Sequence, residues 1–379
     1  MTKTVMHLCK KGVANSPLIN DMCKAGNGEF RTLVCYLSGT SNKENKITDV
    51  VDGAFYLHIS KKQINWTSFS TLRKVAALID SENVDLLVPQ FRRQIPIAIL
   101  AALLSKKEPK VIAILHGIVG GKVGLGRRVF NFLFFRRLSY LVGVSNAAVK
   151  EILRLNWGLD SHKVIAVPNG IDPERILIVE RSTKERLFKE DFPHLVEKGT
   201  LLFGSVGRLT RVKNNENFIR AFAKAAEADS RLRLALAGKG PDEEKLKALV
   251  GELGLNEKVA FLGFRNDVPC LLKVLDFYVM PSLREGLSLA MVEAMIAGAP
   301  ILTSDRGSMR EVVGDEPCGV LIDPDDVNNM TDGILRIAAS TPEDRKKFGD
   351  VARERALREF SAERMSADYG DLFRRALAE

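Results

Sequence analysis

Long apolar runs are absent from this 379-residue chain. The longest run, Ile95–Leu104, has ten residues, which is too short to cross a bilayer. The first residues, MTKTVMHLCKKG, contain no long apolar segment, so we expect no signal peptide. Low-complexity tracts and repeats of 20–50 residues are also missing, which argues against a solenoid. With 46% hydrophobic and 27% charged residues, the composition is that of a soluble globular protein.

Paired cysteines are missing as well. The five cysteines are scattered and form no C-x2-C pair of the kind that binds metal (Cys9, Cys23, Cys35, Cys270 and Cys318). We therefore expect reduced thiols in a cytoplasmic protein.

Acidic residues are scarce only in the first half. Residues 1–175 contain 25 Lys and Arg against 13 Asp and Glu, a net charge of +12, whereas the remainder has a net charge of −3. A basic first half predicts an anionic partner for that half alone. Nucleic acid, an anionic membrane surface and a phosphorylated acceptor all meet this description.

The chain alternates strand and helix patterns, and its length suggests two domains. Strands are predicted at 4–9, 31–37, 54–59, 85–88, 111–115, 140–144 and 163–167, and again at 200–206, 231–237, 259–262, 277–280, 301–304 and 319–322. Helices are predicted between them, for example at 71–80 and 147–155, with a last amphipathic helix at 360–378. This pattern predicts two doubly wound parallel sheets, an α/β fold whose ligands lie beyond the carboxyl ends of the strands. The linker is expected within 176–199.

The segment REGLSLAMVEAMIAG at 284–298 carries two glutamates eight residues apart, Glu285 in a turn and Glu293 in a predicted helix. At about 1.5 Å per residue, this spacing spans about 12 Å, roughly the distance from the sugar to the ribose of a nucleotide-diphosphate sugar. The N-terminus of the helix offers N–H groups and a positive dipole to the diphosphate. Two solvated glutamates near a helix start are the alternative explanation.

Further motifs follow predicted strand ends. A turn reads Gly207-Arg208-Leu209 with Lys213 beyond it, and PNGID occupies 168–172. Together with the E-x7-E pair Glu285 and Glu293, these motifs resemble those of the retaining GT-B glycosyltransferases of family 4, similar to bacterial transferases of the lipopolysaccharide core or other cell-surface glycans. The resemblance covers nearly the whole chain and is strongest over 201–326.

The resemblance implies a GT-B fold: two Rossmann-like domains, an interdomain cleft and a C-terminal helix that crosses back. Residues 1–180 would form the basic acceptor-binding domain, 190–360 the nucleotide-sugar domain, and 361–379 the helix packing on the first domain. It also implies a hexosyltransferase that uses a nucleotide-diphosphate sugar, with UDP-sugars favoured, and no cofactor. The acceptor would be an anionic lipopolysaccharide-core or lipid-linked glycan, and the location cytoplasmic, peripheral on the inner face of the plasma membrane.

The family also implies roles for single residues. Glu285 would hold the sugar hydroxyls and Glu293 the ribose hydroxyls, while N–H groups of Gly286, Leu287 and Ser288 would meet the sugar and diphosphate. Arg208 and Lys213 are cations that can stabilise the departing diphosphate. The residues assigned to catalysis are Glu285, His116, Arg208 and Lys213.

Other assignments depend on weaker signals. His116 precedes Gly117, and the resembled family has a His-Gly pair here facing the donor sugar; an isolated strand-end histidine is more often structural. Donor contacts are also assigned to Gly12, Gly207, Gly238 and Arg265. The family usually has a Gly-Gly pair near Gly12, which this chain lacks and for which Lys10 or Lys11 could compensate. The family also usually has a histidine near Pro89-Gln90, which this chain lacks as well. Ser145-Asn146 ends a predicted strand, Asn169-Gly170 is a predicted turn, and we expect them to shape the cleft rather than take part in the reaction. Asp242 is a predicted N-cap.

The chain contains one D-x-D sequence, Asp323-Pro324-Asp325, which mimics the motif of metal-dependent transferases. It falls in a segment that resembles a structural part of the family. We therefore expect no metal.

Residues 126–138 read GRRVFNFLFFRRL. Aromatics between arginine pairs favour an interfacial helix on an anionic membrane, and a core helix with snorkelling arginines is the alternative. Acceptor or membrane contacts are assigned to six arginines (Arg92, Arg93, Arg127, Arg128, Arg136 and Arg137).

Three other functions remain open. A non-catalytic nucleotide-sugar sensor on the same fold would not need both Glu285 and His116. A GDP-mannose-dependent transferase would share the same motifs. A nucleic-acid-binding protein would fit the basic charge, but no helix-turn-helix, RRM or zinc-finger signature supports it.

Overall fold

The computed structural model describes residues 2–11, 17–26, 28–39, 46–117, 124–179, 188 and 191–379. The chain forms two compact units. Unit 1 contains Met1–Gly170 together with Ala362–Glu379, and unit 2 contains Ile171–Ser361. The chain thus passes from unit 1 to unit 2 after Gly170, ahead of the segment 176–199 in which the sequence places the linker.

Unit 1 is built on a seven-stranded parallel sheet in the order β3-β2-β1-β4-β5-β6-β7. The strands are β1 (Thr4–Lys11), β2 (Arg31–Ser38), β3 (Gly53–Tyr56), β4 (Leu86–Pro89), β5 (Lys110–Leu115), β6 (Tyr140–Gly143) and β7 (Val164–Ala166). The helices are α1 (Pro17–Met22), α2 (Phe69–Ser81), α3 (Ile95–Leu104), α4 (Leu125–Phe135), α5 (Asn146–Leu155) and, near the end of the chain, α14 (Ala362–Ala378), with 3-10 helices at Lys46–Asp49, Arg92–Gln94 and Ser161–Lys163. The inner strands are apolar on both faces, as expected for a parallel sheet covered by helices.

Unit 2 contains a six-stranded parallel sheet in the order β10-β9-β8-β11-β12-β13. Its strands are β8 (Leu201–Val206), β9 (Leu232–Ala237), β10 (Val259–Gly263), β11 (Phe277–Met280), β12 (Ile301–Ser304) and β13 (Gly319–Ile322). Its helices are α6 (Glu174–Leu177), α7 (Asn215–Ala228), α8 (Glu243–Glu252), α9 (Val268–Val274), α10 (Leu289–Ala297), α11 (Gly307–Val313), α12 (Val327–Ala338) and α13 (Pro342–Glu359), with 3-10 helices at Pro193–Leu195 and Arg211–Lys213. A core led by Phe203, Phe222 and Phe277 lies between the sheet and α7.

The prediction of two doubly wound parallel sheets is confirmed, since every predicted strand is present and the strands of the described residues pair in parallel. The largest change is in β3, which ends at Tyr56 instead of residue 59. His58, two residues beyond, has a φ of +50°, which is incompatible with a continuing strand.

The C-terminal helix α14 belongs to unit 1, where it packs against α1. Phe373 contacts the rings of His7 and Phe30, at centroid distances of 6.2 and 6.1 Å. Arg374 donates to the Glu29 carboxylate over 2.5 Å. The helix begins at Ala362, two residues later than the sequence pattern predicts, because Ser361 forms a bridge with Ile171 in unit 2.

Throughout the described part of the chain, no helix combines the length and the apolar character that crossing a membrane requires.

Candidate active site

The candidate site in unit 2 begins where β8 ends. Gly207 and the exposed Arg208 lead into the 3-10 helix Arg211–Lys213, and α7 starts at Asn215. Among the described residues, the Arg208 guanidinium has no ion pair or hydrogen-bond partner. A cation held on a short turn with no partner can accept an anionic ligand without first breaking an existing pair.

Lys213 forms an ion pair with Glu285. Its Nζ lies 2.7 Å from Oε1 of the glutamate, and both side chains are about one-fifth exposed. The lysine stem runs along Gly207, so that a Cβ at that glycine would lie only 3.2–3.3 Å from Lys213 Cε and Nζ. The structure therefore brings together a cation and a carboxylate that are 72 positions apart in the sequence, at the ends of the neighbouring strands β8 and β11.

Two hydrogen bonds fix the turn that carries Glu285. The Leu283 N–H donates to the Val212 carbonyl over 2.8 Å, which ties this turn to the 3-10 helix of Lys213. The Ser308 hydroxyl donates to the Glu285 carbonyl over 2.8 Å. Ser308 is fully buried and was not found from the sequence, where a serine after an arginine-glycine pair gives no signal.

Helix α10 follows the turn. Ser288 caps it by accepting a hydrogen bond from the Met291 N–H, and Gly286, Leu287 and Ser288 are buried just before its first turn. Only the second half of the spacing between the two glutamates is helical, because α10 begins at Leu289. The estimate of about 12 Å from helical rise therefore does not describe this segment, since residues 285–288 form a turn.

Glu293 lies in the second turn of α10 and is partly buried. Burial raises the pKa of its carboxyl from 4.5 to about 7, and Arg175 on α6 acts in the opposite direction without outweighing it. A carboxylate that is costly to ionise in the free protein gains most from a ligand that donates hydrogen bonds to it.

Tyr278 is a site residue that the sequence analysis missed. Its side chain is fully buried on β11, and its pKa lies well above the usual value because of burial and then of Glu293 and Glu285. The negative charges of both glutamates thus act on the Tyr278 hydroxyl. The sequence FYVM at 277–280 is typical of an apolar strand. Tyr278 differs from the core residues Phe277 and Val279 only because alternate residues of a strand lie on opposite faces of the sheet.

Glycines allow the turns after β8 and β9 to touch. Gly238 has a φ of +134°, and a Cβ there would lie 1.9 Å from the Gly207 carbonyl oxygen. The Gly207 N–H donates to the Ala237 carbonyl and the Gly238 N–H to the Gly263 carbonyl, over 2.9 and 2.7 Å. Side chains are thus excluded from this edge, which leaves backbone groups to meet a ligand.

Two further residues assigned from the sequence, Arg265 and Asp242, differ in their side-chain contacts. Arg265 donates from Nε to the Asp267 carboxylate over 2.7 Å, which raises the pKa of the arginine. Asp242 occupies the N-cap position of α8, but its side chain makes no capping hydrogen bond.

The D-x-D carboxylates are paired with an arginine. Asp323 and Asp325 lie 3.0 and 2.6 Å from the two terminal nitrogens of Arg306. Within the described residues, no group of three or more His, Cys, Asp or Glu side chains is arranged to hold a metal ion.

In unit 1, His116 follows β5 and lies against Gln90, which follows β4. Its Nε2 is 3.3 Å from Gln90 Oε1, and its ring is 5.6 Å from that of Phe91. Burial lowers the pKa of His116 to about 4, against the opposing effect of the Asn169 side chain, whose amide oxygen favours the protonated ring. His116 is therefore neutral at physiological pH.

The other turns of unit 1 are structural in part. Ser145 caps α5 by accepting a hydrogen bond from the Ala148 N–H over 3.0 Å. Gly12 lies outside the described residues, which end at Lys11 of β1 and resume at residue 17.

The basic helix α4 exposes most of its apolar residues. Only Asn131 and Phe135 are buried on it, while several large side chains are exposed (Leu125, Val129, Phe132 and Leu133). Asn131 joins Arg92 to Asn156 by hydrogen bonds of 3.2 and 2.5 Å, which fixes the helix to unit 1.

The arginines of this surface differ in their surroundings. Arg93, Arg127, Arg136 and Arg137 are exposed. Arg128 lies 4.7 Å from the centre of the Trp157 ring, and Arg136 lies 5.6 Å from that of Phe132. We call the exposed side chains of α4 together with Trp157 the α4 patch.

Two Rossmann-like units of this kind are the architecture of the GT-B glycosyltransferases, and comparison with solved structures agrees. The Anabaena protein HepE, crystallised in complex with UDP-glucose, superposes with a TM-score of 0.79 at 17% sequence identity, over 98% of this chain and 99% of that one. Residues 26–175 match the family described as Glycosyltransferase Family 4, and residues 188–355 match Glycosyl transferases group 1. The chain belongs to this glycosyltransferase family.

Two curated relatives are named for diphospho-undecaprenol-linked acceptors. The Campylobacter jejuni N-acetylgalactosamine-N,N'-diacetylbacillosaminyl-diphospho-undecaprenol 4-alpha-N-acetylgalactosaminyltransferase is 28% identical over 73% of this chain and 72% of its own length. The Escherichia coli UDP-Gal:alpha-D-GlcNAc-diphosphoundecaprenol alpha-1,3-galactosyltransferase is 30% identical over 50% of this chain and 48% of its own length. The chain spans about half the length of several curated relatives that it matches.

Proposed function

We propose that the protein is a retaining, metal-independent glycosyltransferase. It moves a hexose from a nucleotide-diphosphate sugar, a UDP-sugar in the first instance, to a hydroxyl of a lipopolysaccharide-core or other lipid-linked glycan. The observation that carries this proposal is the Lys213–Glu285 pair beside the Gly207 and Gly238 turns. A cation for phosphate and a carboxylate for sugar hydroxyls lie next to a backbone edge that a ligand can approach.

The diphosphate meets Arg208 and Lys213 in this proposal. Negative charge grows on the departing nucleoside diphosphate in the transition state, and fixed cations stabilise that charge. Lys213 lies between the diphosphate and Glu285, so its proton donors serve both the phosphate oxygen and the carboxylate that holds the sugar.

The sugar and the ribose are bound by different glutamates. Glu285 accepts hydrogen bonds from the sugar hydroxyls, and Glu293 accepts them from the ribose hydroxyls. N–H groups of residues 286–288, at the N-terminal end of α10, face the sugar and diphosphate. His116 has the sugar-facing role that the family resemblance implies.

Metal independence is supported by the Arg306 pairs. Binding of a divalent cation between Asp323 and Asp325 would have to displace a guanidinium that already pairs with both carboxylates. The cations Arg208 and Lys213 supply the positive charge that a metal would bring to the diphosphate.

The acceptor proposal draws on the basic first half and on the relatives. Both named curated relatives carry diphospho-undecaprenol acceptors in their names. The α4 patch combines exposed apolar side chains with arginines, a composition that favours the interface of an anionic membrane. A peripheral position on the cytoplasmic face of the membrane would bring such an acceptor to the enzyme.

The test is a panel of UDP-, GDP- and other nucleotide sugars, screened first for thermal stabilisation and then for transfer to undecaprenyl-diphosphate glycans and lipopolysaccharide cores. We expect stabilisation by one UDP-sugar, transfer that persists in EDTA, and a product anomer that matches the donor anomer by NMR. Stabilisation without transfer to any acceptor would favour the sensor. Loss of activity in EDTA with recovery in Mn2+ would contradict metal independence, and an inverted product would contradict retention.

A further inference from the structure

One buried glutamine lies between two histidines in unit 1. Gln90 is fully buried, and its Nε2 donates to His7 Nδ1 over 2.7 Å. Its Oε1 accepts from His116 Nε2 over 3.3 Å. His7 comes from the middle of β1 and is itself buried, while Gln90 and His116 follow the adjacent strands β4 and β5.

The amide couples the two rings because it has one donor end and one acceptor end. His7 receives a hydrogen bond at Nδ1, so its hydrogen is on Nε2. His116 donates from Nε2, so its Nδ1 is bare. Burial lowers the pKa of each histidine to about 4, so both rings are neutral at physiological pH and both carry their hydrogen on Nε2.

We propose that Gln90 is a positioning residue that holds His116 in the Nε2–H tautomer and in one ring orientation. The inference rests on the proposed function, in which His116 serves the donor sugar. A ring with a bare Nδ1 can accept a hydrogen bond or a proton there, whereas the opposite tautomer can only donate. His7 accepts from the donor end of the amide on the other side, and Phe373 of α14 packs against His7.

Gln94 offers a matched control. It is a second buried glutamine of unit 1, 1% exposed and four residues further on, and neither amide atom has a hydrogen-bond partner in the described residues. Gln90→Met removes an amide that makes two hydrogen bonds, and Gln94→Met removes one that makes none. Loss of a buried amide as such is therefore common to both variants.

The first measurement is the side-chain 15N spectrum of histidine-labelled protein, which is simple because the chain has five histidines. We expect the Nε2–H form for His7 and His116 in the wild type, a mixture of tautomers for both in Gln90→Met, and no change in Gln94→Met. A merely structural glutamine would change the melting temperature but leave the His116 tautomer as it is.

The second measurement is steady-state kinetics. Since misorienting one catalytic hydrogen bond costs about tenfold, we expect Gln90→Met to lower kcat about tenfold with little change in KM for the donor. Gln94→Met should keep the wild-type kcat. Should Gln90→Met fail to fold, Gln90→Asn keeps the polarity but is too short by one methylene to reach both rings, and the same changes are expected.

The two proposals fail separately. Suppose that the wild type catalyses transfer and that both glutamine variants keep its His116 spectrum and its kcat. This result would overturn the role of Gln90 but not the proposed function. A changed tautomer with an unchanged kcat would also overturn that role, because His116 would then not need positioning. Absence of transfer with every donor would overturn the proposed function, while the spectrum would still decide whether Gln90 sets the tautomer.

Discussion

Glu293→Gln replaces a partly buried carboxylate on α10 with a neutral amide of nearly the same shape. The ionised carboxylate is costly in this position, because burial raises its pKa from 4.5 to about 7. The amide avoids that cost at every pH. The substitution should therefore stabilise the fold while it removes the charge that binds the ribose hydroxyls, so that stability and donor binding change in opposite directions.

The magnitude follows from the pKa. One pKa unit corresponds to about 1.4 kcal/mol. Raising the pKa from 4.5 to about 7 therefore lowers the free energy of unfolding by about 3 kcal/mol when Glu293 is ionised. This is an upper value because the side chain is partly exposed. A carboxyl whose pKa is raised by folding binds its proton more tightly in the folded state. Wild-type stability should therefore fall as the pH rises from about 4.5 to about 7, and the loss should be complete above pH 7.

The assay is equilibrium unfolding in urea at pH 5 and pH 8 for the wild type and Glu293→Gln, with Glu252→Gln at the exposed end of α8 as the control. We expect Glu293→Gln to be more stable than the wild type at pH 8 by up to about 3 kcal/mol, and nearly equal to it at pH 5. Donor affinity of the wild type should rise as the pH passes through 7, because the ionised form accepts hydrogen bonds, and this rise should vanish in the variant. An equal stability difference at both pH values would refute the reasoning.

Three other substitutions test the site and the α4 patch. Arg208→Ala, at an exposed position, should lower kcat about a hundredfold without loss of stability, and near-normal turnover would exclude its diphosphate role. Lys213→Ala should lower kcat by a similar factor, and it should also destabilise unit 2 because it leaves Glu285 unpaired. In urea unfolding, the double variant Lys213→Ala/Glu285→Gln should lose less stability than Lys213→Ala alone. Glutamine at four arginines should weaken binding to anionic liposomes in co-sedimentation, most clearly at low salt, and should leave donor hydrolysis intact. These arginines are Arg127, Arg128, Arg136 and Arg137. If the protein bound neutral and anionic vesicles equally, or bound neither, we would infer that the basic half binds a soluble anionic acceptor instead of a membrane.

The order of the elements could be predicted from the sequence because strands buried on both faces are short, apolar and separated by amphipathic helices. Element ends could not be predicted as well. The end of β3 depends on the left-handed backbone at His58, and the start of α14 depends on a bridge between Ser361 and Ile171. Both are tertiary effects that local patterns do not contain.

The site was predictable only where its residues form a local motif. Arg208 and Lys213 lie on one turn, and Glu285 and Glu293 lie on one turn and helix, so they could be proposed as site residues from their resemblance to family motifs. The pairing of Lys213 with Glu285 requires knowing that β8 and β11 are neighbours in the sheet. Gln90 follows the strand after which the resembled family usually has a histidine, so the sequence indicates only a departure there. Its two histidine partners could not be predicted, because they come from other strands.

Unit 1 is interrupted in the sequence, since residues 171–361 belong to unit 2 and α14 returns to unit 1. On the ribosome, the strands of unit 1 emerge first but cannot be covered by α14 until unit 2 has been synthesised. Phe30 and His7 meet Phe373, and Tyr140 donates to the Glu379 carboxylate over 2.5 Å, only at that late stage. Because domains generally fold as units during synthesis, unit 2 can complete its fold first although its residues are made second. Until then the first unit to be made presents its unfinished α14 side to chaperones.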